Sequence, residues 1–112
     1  MKKLLLILIL LVTFTGCNSK TLVDIKYGDD DVDIENSGFE ELDTSKSSWV
    51  EGAWYDDDNQ YMIMNLDGTY YQYCEVPESV WSKYKKAESF GSDYNAYIKG
   101  DYDCREGNVP NY

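Results

Sequence analysis

The chain contains no histidine, and its basic residues are few. Histidine is the usual general base and a common metal ligand near neutral pH, so its absence excludes ordinary serine and cysteine triads and the usual zinc sites. The chain has only 10 Lys and Arg residues against 21 Asp and Glu residues, which gives a formal net charge of -11. Because affinity for a nucleic-acid backbone comes largely from Lys and Arg that release counterions, this charge disfavours a nucleic-acid partner.

The chain also lacks an apolar run long enough to cross a bilayer. Residues 4–14 form an apolar stretch of eleven positions, whereas a spanning helix needs about 18 or more. This stretch follows two lysines and ends in small residues directly before Cys17, the arrangement of a bacterial lipoprotein signal peptide. We therefore predict that residues 1–16 are removed and that Cys17 is lipidated. Phe14 stands where such signals usually carry Leu, so secretion without a lipid is the alternative.

These predictions place the mature chain in the cell envelope, outside the cytoplasm. Removal of Lys2 and Lys3 with the signal moves the formal charge from -11 to -13. The first partner is then membrane lipid, bound through palmitate or other acyl chains on Cys17. Each buried methylene contributes about 0.8 kcal/mol, so several acyl groups would hold the protein on a membrane durably.

Acidic residues concentrate just after this cysteine. Between Asp24 and Asp43 there are nine carboxylates and one base, Lys26, with few large apolar side chains among them. Low hydrophobicity and charge repulsion leave too little burial to offset chain entropy. We predict that residues 17–43 comprise the lipidated cysteine and an acidic, mostly disordered tether that holds the rest clear of the bilayer. Alternation over residues 22–27 allows one short edge strand there.

The tether also contains a spacing typical of a calcium loop. Asp29, Asp31, Asp33 and Glu40 match ligand positions 1, 3, 5 and 12 of such a loop. Its sixth position, which requires Gly, is Ile34, and no flanking amphipathic helices are predicted. A solvated run of charges is the preferred interpretation, and no cofactor is expected.

A compact unit is predicted over residues 44–104. Residues 48–55 and 61–66 are rich in β-forming side chains, and the Asp67-Gly68 pair predicts a tight hairpin into a third strand over residues 69–75. We therefore expect a three-stranded antiparallel meander. In the third strand, Tyr71 and Tyr73 lie on one face, and Tyr70, Gln72 and Cys74 lie on the other. The inward face of the second strand stays open, because two sets of side chains compete for it: Tyr61 and Ile63, or Met62, Met64 and Leu66.

One helix is predicted to cover this sheet. Pro77 suits a first helical turn, and Trp81 and Tyr84 recur at helical spacing with Val80 and Ala87. A shorter second helix, capped by Ser92, is predicted over residues 93–99. The fold class is thus α+β: a three-stranded antiparallel β-meander covered by one amphipathic helix plus a short second helix, with residues 105–112 as a tail.

Short elements that follow one another along residues 44–103 resemble a known family. They are Ser47-Ser48, Tyr55-Asp56, Gly68, Tyr71-Gln72-Tyr73, Val76-Pro77, Ala87-Glu88-Ser89-Phe90-Gly91, Tyr94-Asn95 and Ile98-Lys99-Gly100. In this order they resemble the KTSC domain, a short module found alone in bacterial and phage proteins and at the C-terminus of some lysyl-tRNA synthetases. The resemblance implies possible RNA binding through a Tyr-X-Tyr element, here Tyr71 and Tyr73. Trp49 and Asn65 depart from the family's usual pattern.

Tyr71, Tyr73, Trp81 and Tyr84 form the candidate binding surface. Two tyrosines two positions apart on a strand share a face, and helix packing above them would bury the rings while the hydroxyls reach the rim. Core packing is therefore preferred over a platform on which bases stack. The eleven acids and five bases of residues 44–104, together with export, also disfavour RNA.

Cys74 and Cys104 remain once Cys17 carries lipid. In an oxidising compartment, a pair of cysteines in a small domain usually forms a disulfide, with two free thiols as the alternative. They lie 30 residues apart, and closing such a loop stabilises a domain by about 3–4 kcal/mol in the chain-entropy model.

Together these features predict a membrane-tethered, non-enzymatic module that binds a protein, peptide or glycan partner through aromatic side chains. One alternative is a phage-derived envelope lipoprotein that excludes superinfecting phage, and another is the nucleic-acid-binding role suggested for the family. A carboxylate-based enzyme would need two acids across a cleft, for which so small a domain has little room.

Overall fold

The computed structural model describes residues 22–28, 31–36, 38–104 and 109–110. Its strands form two antiparallel sheets, a small one of order β1-β2 and a main one of order β3-β4-β5-β6. The strands are β1 Leu22–Val23, β2 Val32–Asp33, β3 Glu40–Leu42, β4 Val50–Asp56, β5 Tyr61–Leu66 and β6 Thr69–Tyr73. The predicted α+β class and the meander β4-β5-β6 are confirmed. The predicted count of three strands is wrong, because β3 adds a fourth at the edge beside β4.

Helices follow the sheet in the chain. The first helix, α1, spans Glu78–Lys85, and Pro77, which was predicted in its first turn, is the extended residue directly before it. The second, α2, spans Phe90–Asp93 and continues into a π-helical turn, Tyr94–Ile98. Its cap is Ser89, whose hydroxyl accepts the Ser92 N–H at 3.2 Å. The predicted Ser92 cap is therefore wrong by three residues, since Ser92 is the donor of that bond.

The helices pack on one face of the main sheet and form the helix-side core. At its centre the Tyr55 ring stacks on Trp81, with ring centroids 5.1 Å apart and an interplanar angle of 16°. The buried residues of this core are Val50, Ala53, Tyr55, Met62, Met64, Tyr73, Val76, Trp81, Tyr84, Ala87, Phe90, Tyr94 and Ile98. Six of its members are aromatic, and rings of this size bury large apolar areas.

The opposite face carries a second core, the segment-side core. It contains Val23, Ile25, Val32, Ile34, Trp54, Tyr61, Ile63 and Cys74, with Phe39, Tyr70 and Cys104 packed against it. The first four residues come from what we call the acidic segment, residues 22–43. This segment therefore covers the main sheet, and the prediction that it is a disordered tether is wrong for its described residues.

Alternation explains how so acidic a segment can fold. Val23 and Ile25 are buried at 7 % and 2 % exposure, while the intervening Asp24 is exposed. Ile25 bridges Tyr70 in parallel orientation, and the following Lys26 N–H donates to the Tyr70 carbonyl oxygen at 2.8 Å. Period-2 alternation turns the charges to solvent and the aliphatic side chains to the sheet, so burial is gained without desolvating carboxylates.

The second predicted strand, β5, is buried on both faces. Met62 and Met64 belong to the helix-side core, whereas Tyr61 and Ile63 belong to the segment-side core. All four are 0 % exposed. The two sets of side chains that competed for the inward face are therefore both inward, because the sheet has a cover on each side.

Candidate interaction surface

The aromatic residues predicted as a binding surface lie mostly in the core. Tyr73 is 7 % exposed, and Trp81 and Tyr84 are each 1 % exposed. Tyr71 is partly buried and packs against the same core. Tyr71 and Tyr73 do share one face of β6, opposite Met64 and Met62 respectively. Packing beneath the helices, the preferred interpretation, is what the structure shows, and Tyr73 has no free face on which a base could stack.

The buried tyrosine hydroxyls hold this core together through hydrogen bonds. Tyr55 donates to the Val76 carbonyl oxygen at 2.6 Å. Tyr84 donates to the Phe90 carbonyl oxygen at 2.9 Å. Burial, reinforced by nearby carboxylates, raises the pKa of Tyr55 to about 12, and burial likewise raises the pKa of Tyr84. Both groups therefore stay protonated at neutral pH and act as donors. Tyr55 ties β4 to the chain just before α1, and Tyr84 ties α1 to α2.

Tyr73 and Tyr94 join in the same core. Their hydroxyl oxygens lie 2.6 Å apart, and their rings meet edge to face at a centroid distance of 6.0 Å. Burial is the largest cause that raises the pKa of each. The pair ties β6 to the π-helical turn, so its role is structural.

Glu40 links the acidic segment to α1. Its Oε1 accepts the Trp81 Nε1–H at 3.0 Å, and its Oε2 binds Lys85 Nζ at 2.9 Å. These interactions lower the pKa of Glu40, the Trp81 bond first and then Lys85. Both carboxylate oxygens are thus engaged on β3.

This placement removes Glu40 from the proposed calcium loop. Asp33 Oδ1 accepts the Glu35 N–H at 3.0 Å, which is a local turn contact, and Asp31 is exposed. Asp29 lies outside the described residues. Within the described part of the chain, no three Asp, Glu, Cys or His side chains come close enough to hold a metal ion. Asp31 instead lies on the solvent side of a folded segment.

The predicted disulfide is present. Cys74 and Cys104 are bonded, with Cα atoms 4.9 Å apart, and the bridge joins the chain just after β6 to the C-terminal region. Cys74 is 2 % exposed, in the segment-side core. The predicted lipidation site, Cys17, lies outside the described residues. In the part of the chain that is described, no helix has the length and apolarity needed to cross a bilayer.

A shallow, open depression of about 750 Å³ lies along the outer side of α1. It is lined by Glu78, Ser79, Ser82, Lys83, Lys86, Ala87, Glu88 and Asp93. Beside it, Lys83 Nζ lies 3.7 Å from the centroid of the Tyr97 ring, which is 38 % exposed. We call these residues together the α1 surface. It offers charges of both signs and one aromatic ring to a partner, in an open shape that suits contact rather than enclosure.

Sequence reasoning missed the α1 surface and one of its supports. Lys46 Nζ donates to the Ala87 carbonyl oxygen at 2.6 Å and lies 4.5 Å from the Phe90 ring centroid, so it fixes the turn between α1 and α2. Helical spacing would have misplaced Tyr97, because positions 94 and 97 share one face of an α-helix, whereas in the π-helical turn Tyr94 is buried and Tyr97 is exposed. The contact between the Lys83 ammonium and the Tyr97 ring depends on the conformation of the turn between the helices. The local sequence does not predict that conformation.

Comparison with known families confirms the resemblance found in the sequence. The model of the KTSC domain matches residues 33–102, which is more than half of the chain. The match begins within the acidic segment and includes β3. No curated protein and no solved structure matches the chain.

Proposed function

Because the chain belongs to the KTSC domain family, we propose that it is an exported, lipid-anchored member that acts as a non-enzymatic interaction module. Its lipid is carried by Cys17, and its partner contacts the α1 surface. The partner is a protein or peptide with exposed charged groups.

Export is supported most directly by the Cys74–Cys104 disulfide. Disulfides form and persist outside the reducing cytosol and are common in small exported domains with limited cores. This agrees with the signal-like residues 1–16 and with a cysteine at the first mature position. Two independent parts of the chain therefore favour the same compartment.

The interaction role rests on what the aromatic residues are used for. Most of the large aromatic rings are buried in the two cores. The tyrosine hydroxyls of the helix-side core form hydrogen bonds with backbone carbonyl oxygens or with each other. The groups left at the α1 surface are Lys83 and Lys86, three carboxylates and the Tyr97 ring. Such a surface binds by complementary charge and ring contact.

Anchoring is tested by fractionating cells that express the wild type or Cys17→Ser. We expect the wild type in the membrane fraction with an acylated N-terminal cysteine by mass spectrometry, and the variant in the soluble fraction after export. Unprocessed and unacylated wild-type chain in the cytosol would contradict the proposal.

Partner binding is tested by capture from solubilised envelope with the lipidated protein. We expect Lys83→Glu with Lys86→Glu to lose the captured partner while the melting temperature stays unchanged. Lys99→Glu is the matched control, because it alters an exposed lysine that does not line the depression. Equal capture by both variants would remove the α1 surface from the proposal.

A further inference from the structure

The folded position of the acidic segment shortens the connection to the lipid anchor. Only four residues separate Cys17 from Leu22, where β1 begins. At no more than 3.6 Å per residue, the Cα atoms of residues 17 and 22 lie at most about 18 Å apart in any conformation. A lipid on Cys17 would therefore keep β1 close to the bilayer surface rather than clear of it.

The segment nearest this anchor exposes side chains suited to a lipid interface. Leu22 is 54 % exposed and Tyr27 is 86 % exposed. Tyr27 has a φ of 64° and precedes Gly28, so its ring projects from a tight turn. Lys26 Nζ lies 5.3 Å from the Tyr27 ring centroid and 5.7 Å from that of Tyr71. Tyrosine rings and lysine stems favour the headgroup level of a bilayer, with apolar atoms inward and polar ends in water.

The charges near this segment indicate which lipid headgroups it can approach. Lys20 and Lys26 are its cations, Asp24 is an exposed acid between Leu22 and Lys26, and Asp31 and Glu35 are exposed further along the chain. Two cations among many carboxylates fit zwitterionic headgroups, whose phosphates lysine can approach, better than a strongly anionic surface.

We propose that Leu22, Lys26 and Tyr27 form a docking edge that rests on the phospholipid bilayer holding the Cys17 lipid. This inference depends on the proposed lipid anchor, and it gives the acidic segment a second role besides covering the sheet. Docking orients the domain with the segment-side edge toward the membrane. The α1 surface, on the helix side of the sheet, remains accessible to a partner.

The test uses the full lipidated protein in phosphatidylcholine vesicles, with the photo-crosslinking residue p-benzoylphenylalanine at position 27 or at position 97. These are matched sites, since each is an exposed tyrosine whose ring lies beside a lysine ammonium. We expect lipid adducts from position 27 and only background from position 97. Insertion of twenty Gly and Ser residues after Ser19 should lower the adduct at position 27 roughly tenfold, because the effective concentration of a tethered group falls steeply with linker length.

The outcomes separate the two proposals. If Cys17 carries acyl chains but positions 27 and 97 form equal adducts, or the insertion has no effect, the docking edge is wrong and the lipid anchor stands. If mass spectrometry finds Cys17 without acyl chains, the anchor fails, and the docking edge fails with it.

Discussion

The two faces of the main sheet are buried by different chemistry. On the helix side, large aromatic rings pack beneath α1 and α2, and their hydroxyls find partners within the core. On the segment side, four aliphatic residues from a highly acidic stretch cover Trp54, Tyr61 and Ile63. The first cover is helical, whereas the second is held by short strands, an isolated bridge and the adjacent disulfide.

This difference teaches that average acidity does not decide whether a segment folds. Carboxylates and aliphatic side chains alternate in the acidic segment, so each type reaches the environment that suits it. A buried Val or Ile side chain contributes about 1.5–3 kcal/mol relative to an exposed one, so each of the four offsets part of the entropy lost when the segment is ordered.

The largest effect is expected from Trp81→Ala on the helix side. Trp81 is 1 % exposed, stacks on Tyr55 and donates to Glu40. Its removal should lower the free energy of unfolding by about 3–5 kcal/mol, measured by urea denaturation. Trp81→Phe is the control, since it keeps a ring but not the N–H donor, and it should cost clearly less. A small effect of Trp81→Ala would mean that the helices do not form the main core.

Loss of the disulfide should rank next. Cys74→Ala with Cys104→Ala should lower the free energy of unfolding by about 3–4 kcal/mol, because the unfolded chain regains the entropy of a closed 30-residue loop. Wild type in reductant should match this variant in the same urea titration. An unfolding midpoint that does not respond to reductant would show that the bridge gives the segment side no support.

Ile25→Ala tests the cover on the segment side. Ile25 is 2 % exposed, so its truncation should lower the free energy of unfolding by about 2–4 kcal/mol. Leu22→Ala is the matched control on the same segment, and at 54 % exposure it should change stability by no more than about 0.5 kcal/mol. Equal, negligible effects of both variants would mean that the acidic segment adds nothing to the fold.

The smallest effect on stability is expected at Glu40, which links the acidic segment to α1. Glu40→Gln weakens the contacts to Trp81 and Lys85 and should cost about 0.5–1 kcal/mol at pH 7, since both side chains of the ion pair are partly exposed to solvent. The pKa of Glu40 is lowered in the folded state from its ordinary value of 4.5. The wild-type advantage is therefore complete above that value and is lost as the pH falls through the lowered pKa. Urea titrations of both proteins at pH 7 and pH 3 would reveal it, and a pH-independent difference would contradict the assignment.

Sequence patterns predicted the helix side better than the segment side. Helical spacing identified Trp81 and Tyr84, alternation assigned the faces of β6, and the cysteine count indicated the disulfide. Strand β3 was missed because Glu40-Glu41-Leu42 has no β-forming pattern; pairing with β4 and the Trp81 and Lys85 contacts hold it. Val32 and Ile34 were missed because composition over the whole acidic run outweighed their spacing. The α1 surface depends on how two helices meet, which local sequence does not encode.

The central claim is that the acidic segment is folded onto the sheet, and hydrogen exchange of the Lys26 amide tests it most directly. That N–H donates to the Tyr70 carbonyl oxygen at 2.8 Å, between the segment and β6. We expect this amide to exchange roughly a hundredfold or more slower than in an unfolded chain, because local opening of the folded segment costs at least a few kcal/mol. Exchange at the unprotected rate, in a protein whose β5 amides are protected, would contradict it.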